Sequence, residues 1–181
     1  MIISISGTPC TGKTAVAKIL AKKVGANLLS INKLLHELNF TWDPERKTKV
    51  VDIKVLQRII NKKLTRKKIN IIEGHLAHLL GAGIIVILRC NPVELQKRMR
   101  KKGWGKEKVA ENMQAEILDE ITIEAVEKHG KRNVFEVDTS NKKPAATAAI
   151  INKLLNSLGT KKYRPGRIDW SEKYKNYLMI A

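Results

Sequence analysis

Acidic residues are scarce in this chain: 17 Asp and Glu stand against 35 Lys and Arg in 181 residues, a formal charge of +18. Such an imbalance favours polyanionic partners, RNA as well as nucleotide phosphates. The basic residues are spread along the chain, as in Lys22-Lys23, Arg66-Lys67-Lys68 and Arg100-Lys101-Lys102. Their excess is larger than the balanced ion-pair networks of heat-adapted surfaces require. Long hydrophobic runs are missing too. The longest nearly apolar stretch, Leu76 to Leu88, carries His78 and falls short of the roughly 18 to 20 residues that cross a bilayer. The opening MIISIS has no basic leader and runs straight into a glycine loop, so it reads as a strand rather than a signal peptide, and a cytoplasmic location is expected. Cysteine is limited to Cys10 and Cys90, at the ends of separate predicted strands. That excludes a disulfide framework and leaves reduced thiols. With no internal repeat or low-complexity tract, and 43% apolar residues, a single domain with an ordinary core is expected.

What is present is an alternation. Short apolar runs at Ile2–Ser6, Asn27–Ser30, Ile69–Ile72, Ile84–Leu88 and Val134–Val137 read as buried strands. Helix-period stretches lie between or beyond them at Lys13–Val24, Ile53–Leu64, Pro92–Lys101, Val109–Lys128 and Ala145–Leu158. The order predicts an α/β three-layer fold, a parallel five-stranded sheet with helices on both faces. Ile31–Val51 and Gly103-Trp104-Gly105 fit the alternation poorly and read as inserts over the sheet. From Gly159 to Ala181 the composition turns basic and aromatic, a tail able either to pack back on the domain or to stack on a partner.

The chemistry concentrates in residues 7 to 14, GTPCTGKT, which meet G-x-x-x-x-G-K-[ST] between a strand and a helix. Gly7 and Gly12 let the backbone turn so that N–H groups point at phosphate oxygens, and the new helix adds its positive end. Lys13 is expected to reach the β- and γ-phosphates of ATP, with the Thr14 hydroxyl ligating magnesium. Cys10 contributes its backbone N–H, its thiol filling space unless the field of the loop activates it. At the end of the third run, Glu73 is placed to hold magnesium or one of its waters, and His75 to orient a water or an acceptor phosphate. His75 and His78 have no third ligand at zinc spacing. His36 and His129 are isolated and read as polar surface residues. The segment Arg98 to Val109 crowds cations around Gly103 and Gly105, a form suited to a hinged flap over polyphosphate, with a solvated helix face as the alternative. A GTPase is disfavoured, because Asn32-Lys33-Leu34-Leu35 lacks the Asp of a guanine-reading N-K-x-D motif.

With these pieces placed, the chain resembles the adenylate kinase isoenzyme 6 family over about residues 1 to 158. The resemblance rests on GTPCTGKT, on Glu73-Gly74-His75, and above all on LRCNPVELQKRMRKKGW followed by ENMQAEILDEITIEA. It implies a P-loop nucleoside monophosphate kinase fold with an acceptor-binding insert at about 28–51 and a short lid at about 99–109. It also implies ATP contacts from Cys10, Gly12, Lys13, Thr14 and Ala15, and a lid contact from Lys102. Members are described as broad-specificity kinases acting on AMP and other nucleoside monophosphates, with ATPase activity. They act late in small ribosomal subunit maturation through small-subunit ribosomal protein eleven, which would make ribosomal RNA or a pre-30S particle a partner. Glu73 stands where the family usually has Asp, so its carboxylate reaches about one methylene further. The loop reads Pro-Cys-Thr where many relatives have Pro-Gly and a small residue.

Overall fold

The computed structural model describes residues 1–37, 41–43, 48–156 and 161–178. Five strands form one sheet in the order β2-β5-β1-β6-β7: β1 (Ile2–Ser6), β2 (Asn27–Ser30), β5 (Asn70–Glu73), β6 (Ile84–Arg89) and β7 (Val134–Asp138). Every pairing in it is parallel. Two three-residue strands, β3 (Thr41–Asp43) and β4 (Thr48–Val50), pair antiparallel outside that sheet. The third expected strand runs one residue later than its apolar pattern, and takes Glu73 into the sheet as its last residue.

Alternation within the strands sets the layers. Ile3, Ile5, Ile84, Val86 and Leu88 point to one face, where α1 (Lys13–Val24) and α7 (Pro144–Asn156) bury Val16, Leu20, Ile151 and Leu154 against them. On the opposite face Ile72 meets Leu56 and Ile60 of α3 (Ile53–Lys63), and Ile85 and Ile87 meet Ile121 and Ala125 of α6 (Glu120–His129). The helices start where their side chains cap them. Asp52 accepts from the N–H groups of Lys54 and Val55 at the head of α3, and Asn91 caps α4 (Pro92–Lys101) with proline in its first turn.

The expected helix over Val109–Lys128 is two helices, α5 (Lys106–Ile117) and α6. Unbroken, the Glu116 carbonyl would accept from the N–H of residue 120. Instead the guanidinium of Arg89 donates to that carbonyl at 2.8 Å. The ladder is interrupted there and Asp119 takes a left-handed backbone at φ 58.

Of the expected insert at 28–51, α2 (Ile31–Glu37) and the β3–β4 pair are seen, while residues 38–40 and 44–47, with Phe40 and Pro44, lie outside the described residues. The last expected helix likewise extends to 157 and 158, outside them. The C-terminal segment packs back on the domain: Arg164 stacks over Phe135 at 4.6 Å and Tyr177 joins the apolar cluster of α4 and α5. Among the described residues no helix is long and apolar enough to cross a membrane.

Candidate functional site

Strand β1 lies mid-sheet, and the chain leaves its carboxyl end between β5 and β6, the crevice where open α/β sheets bind ligands. Gly7 makes the exit possible. Its φ is 141, and a Cβ there would stand 2.3 Å from the carbonyl oxygen of Leu88. Gly12, at φ 98, turns the chain into α1, whose first turn has neither a capping side chain nor an acidic residue. The free N–H groups of that turn and the helix dipole therefore face the crevice with no acidic residue of the helix itself to neutralise them.

Lys13 is buried, with its Nζ donating to the carbonyls of Gly7 at 2.7 Å and Thr8 at 3.0 Å. Burial lowers its pKa to about 8, against the opposing attraction of Glu73. Next to it, the Thr14 hydroxyl donates to Glu73 Oε2 at 3.0 Å and the Ser30 hydroxyl to Glu73 Oε1 at 2.5 Å. The longer carboxylate is thus held at both oxygens. Ser30 was not among the expected residues. Its only sequence signal is a polar side chain ending an apolar strand, which becomes meaningful once β2 and β5 pair Ser30 with Glu73.

Pro9, Cys10, Gly12, Lys13, Thr14, Ala15 and His75 line a single cleft with Arg98, Lys101 and Lys102. Glu73 sits behind that lining and Gly7 beneath it, both buried. Every expected site residue is therefore at the crevice. The basic wall comes from the end of α4, while the start of α5 adds Lys108 together with Glu107 and Glu111, and Gly103, at φ 75, reverses the chain between the two helices. Trp104 anchors this turn in the cluster of Cys90, Leu95, Met99, Val109 and Met113, with Lys108 Nζ 4.6 Å from its ring centre. Arg98 crosses to the far side, donating to the carbonyls of Cys10 and Thr139.

The two histidines after Glu73 part company. His75 opens on the cleft and is exposed there; partial loss of hydration on the side toward the loop, and then the Lys13 charge, push its imidazole below its ordinary pKa, which favours the neutral ring. His78 turns inward. Its Nδ1 lies 2.9 Å from Ser6 Oγ and its Nε2 2.7 Å from Glu124 Oε2, while Ser6 Oγ donates to the His75 carbonyl. His78 thereby braces the turn carrying His75 against β1. His129, read from sequence as a surface residue, is half-buried, its Nε2 2.7 Å from the His78 carbonyl.

Comparison with known proteins gives the family. A family pattern described as an AAA domain matches residues 3–119. A protein of Methanocaldococcus jannaschii named "Putative adenylate kinase" is 35% identical over 99% of this chain and 98% of its own length. One of the same name from Thermococcus onnurineus is 38% identical over 100% and 99%. The chain belongs to this archaeal P-loop kinase family. The P-loop kinase alignments run the length of the chain, so they take in the C-terminal segment expected to lie outside the resemblance. Among solved structures, shikimate kinase from Acinetobacter baumannii superposes with a TM-score of 0.62 at 20% identity, covering 88% of this chain and 95% of that one. Thymidylate kinase from Candida albicans gives 0.57 at 16%, covering 86% and 91%. At such identities the likeness is one of fold.

Proposed function

We propose that the protein transfers the γ-phosphoryl group of ATP to a nucleoside monophosphate, AMP foremost, as an adenylate kinase does. One observation carries this: a buried lysine, an uncapped helix start and a Thr14–Glu73 pair meet at one end of a cleft whose other wall is basic. The residues fit ATP with magnesium. Thr14 donates its proton to Glu73 and keeps its oxygen lone pairs for a cation, and Glu73 would hold the cation directly or through water. Magnesium there would neutralise charge on the β- and γ-phosphates.

The reaction forms a bond from an acceptor phosphate oxygen to the γ-phosphorus and breaks the one to the β,γ-bridging oxygen, leaving ADP. Lys13 would move from the loop carbonyls to the phosphates, and Lys102 with its neighbours would cover the transferring group and exclude water. Neutral His75 would orient the acceptor, the insert at 28–51 would bind it, and the segment at 99–109 would act as the lid. ADP formation by the purified protein with ATP and magnesium, measured without acceptor and then with each nucleoside monophosphate, tests the reading. Strong stimulation by AMP is expected; turnover indifferent to every acceptor would sink it.

That second outcome belongs to an ATPase that works as an assembly factor, the reading favoured by the +18 charge. Its partners would be ribosomal RNA or a pre-30S particle and small-subunit ribosomal protein eleven. Binding to RNA that falls steeply with added salt, and a nucleotide-dependent complex with that protein, would support it.

A further inference from the structure

Two charged residues interrupt otherwise apolar strands. Arg89 ends β6 and Glu136 lies within β7, on the face toward α5 and α6, and each is 2% exposed. Burying such charges costs several kcal/mol per ion unless partners surround them. Here they do. Arg89 donates from Nε to Glu116 Oε1 at 2.8 Å, from Nη1 to Glu136 Oε1 at 2.5 Å, and from Nη2 to the Asp119 carboxylate and the Glu116 carbonyl. The second oxygen of Glu136 accepts the N–H of Gly166 at 2.8 Å, which ties the C-terminal segment to the same cluster.

Glu116 carries the cluster to the phosphate loop. Its Oε2 accepts from the Thr8 hydroxyl at 2.5 Å, across 108 positions of sequence, and its Oε1 also accepts from the N–H of Cys90. Thr8 is no peripheral residue: its carbonyl receives Lys13 Nζ and the Thr11 hydroxyl at 2.8 Å. At the other end of α5, Glu107, Lys108, Glu111 and Asn112 line the cleft. One helix therefore touches the cleft with its first turns and holds the phosphate loop with its last.

We infer that Glu116 is a positioning residue for the phosphate loop, linking the placement of α5 to Thr8 and, through its carbonyl, to Lys13. The inference rests on the reading of that loop as the phosphate site. The Thr8 hydroxyl also satisfies a buried Glu116 oxygen, so a role in stability and a role in positioning the loop differ in one respect: only the second makes nucleotide affinity depend on the contact.

The test titrates a fluorescent ADP with magnesium into the full chain: wild type, Thr8→Val, Glu116→Gln, the two combined, and Glu136→Gln, with melting temperatures for all. Thr8→Val and Glu116→Gln are each expected to weaken binding about fivefold, the size of a coupling near 1 kcal/mol. The double variant should lose no more than either single one, and Glu136→Gln should melt earlier but bind as wild type. If all variants bind ADP as wild type does while melting earlier, the inference is overturned. Should Glu116→Gln fail to fold, Thr8→Val alone decides, and wild-type affinity there refutes the link. Lys13→Ala separates the two readings: undiminished ADP binding in that variant would remove the phosphate-site reading and this inference with it.

Discussion

The phosphate loop and the buried cluster beneath α5 both hold charge, and they do it in opposite ways. The loop uses backbone N–H groups and one lysine from contiguous residues at the edge of a cleft, the lysine resting on two loop carbonyls rather than on a carboxylate. The cluster uses side chains from β6, α5, β7 and the turn before α6, and buries all of them but the half-exposed Asp119. A site built to receive an anion must leave donors unspent, while a structural charge must spend them all. The difference teaches which parts of a molecule bind and which only hold.

The largest effect separates these roles. Lys13→Ala should lower phosphoryl transfer by at least about 10²-fold, the scale of losing one donor aimed at developing charge, and leave melting little changed. A folded variant with near-normal turnover would contradict the placement of Lys13. Arg89→Leu should do the reverse in kind. It leaves Glu116 and Glu136 buried, and the half-buried Asp119, without their cation, and a loss of about 3–5 kcal/mol is expected in denaturant unfolding. Burial already holds Glu116 above the usual carboxylate range against the pull of Arg89, so that loss should shrink at acid pH as the acids protonate. A variant as stable as wild type at neutral pH would show that the cluster is idle.

The same contrast explains what sequence could disclose. Gly7 to Thr14 were legible because their chemistry needs adjacent residues, and Glu73 and His75 because a strand end beside that loop is where a second carboxylate belongs. The sheet was legible from five apolar runs. Ser30 was not, since its role exists only through the pairing of β2 with β5. Nor was the break between α5 and α6, whose helical period is unbroken in sequence and whose cause, Arg89, lies 27 positions from Glu116. Arg89 and Glu136 did leave a trace, as charges at strand positions that otherwise carry Ile, Val, Phe and Leu.

Titration sharpens the comparison on the side of the loop. Lys13 has a folded pKa of about 8 against 10.5 when unfolded. Between these values the unfolded chain binds more protons, so the contribution of Lys13 to stability rises as pH climbs from 8 to 10.5. Phosphate beside the amine should restore its charge. Nucleotide binding at pH near 8.5 is therefore expected to take up a fraction of one proton, read by calorimetry in buffers of different ionisation enthalpy, and the uptake should vanish in Lys13→Met. Release of protons, or uptake that survives the substitution, would break the assignment.

Magnesium dependence probes the neighbouring carboxylate more gently. Ser30→Ala frees Glu73 Oε1 from its fixed position while Thr14 still holds Oε2. A rise of about two- to tenfold in the magnesium needed for ADP binding is expected, at the lower edge of what an outer partner of a metal ligand contributes. An unchanged requirement would mean that Thr14 alone orients Glu73.

The smallest effect lies inside the loop itself, at Cys10. Its φ of 70 belongs to the left-handed region, where a Cβ crowds the following carbonyl. Glycine adopts that conformation without the clash. Two terms oppose each other. Relief of the left-handed strain is worth about 1–2 kcal/mol, while glycine adds freedom to the unfolded chain and removes a half-buried side chain from the cluster around Leu95 and Met99. The strain is the larger, so Cys10→Gly should stabilise the protein by about 0.5–1 kcal/mol, seen as a small rise in denaturant midpoint. Because the N–H of residue 10 stays where it was, ADP affinity should not fall. Cys10→Val is the counter-test: a β-branched side chain at this φ should destabilise, and a valine variant as stable as the glycine one would show that the left-handed turn at residue 10 carries no strain.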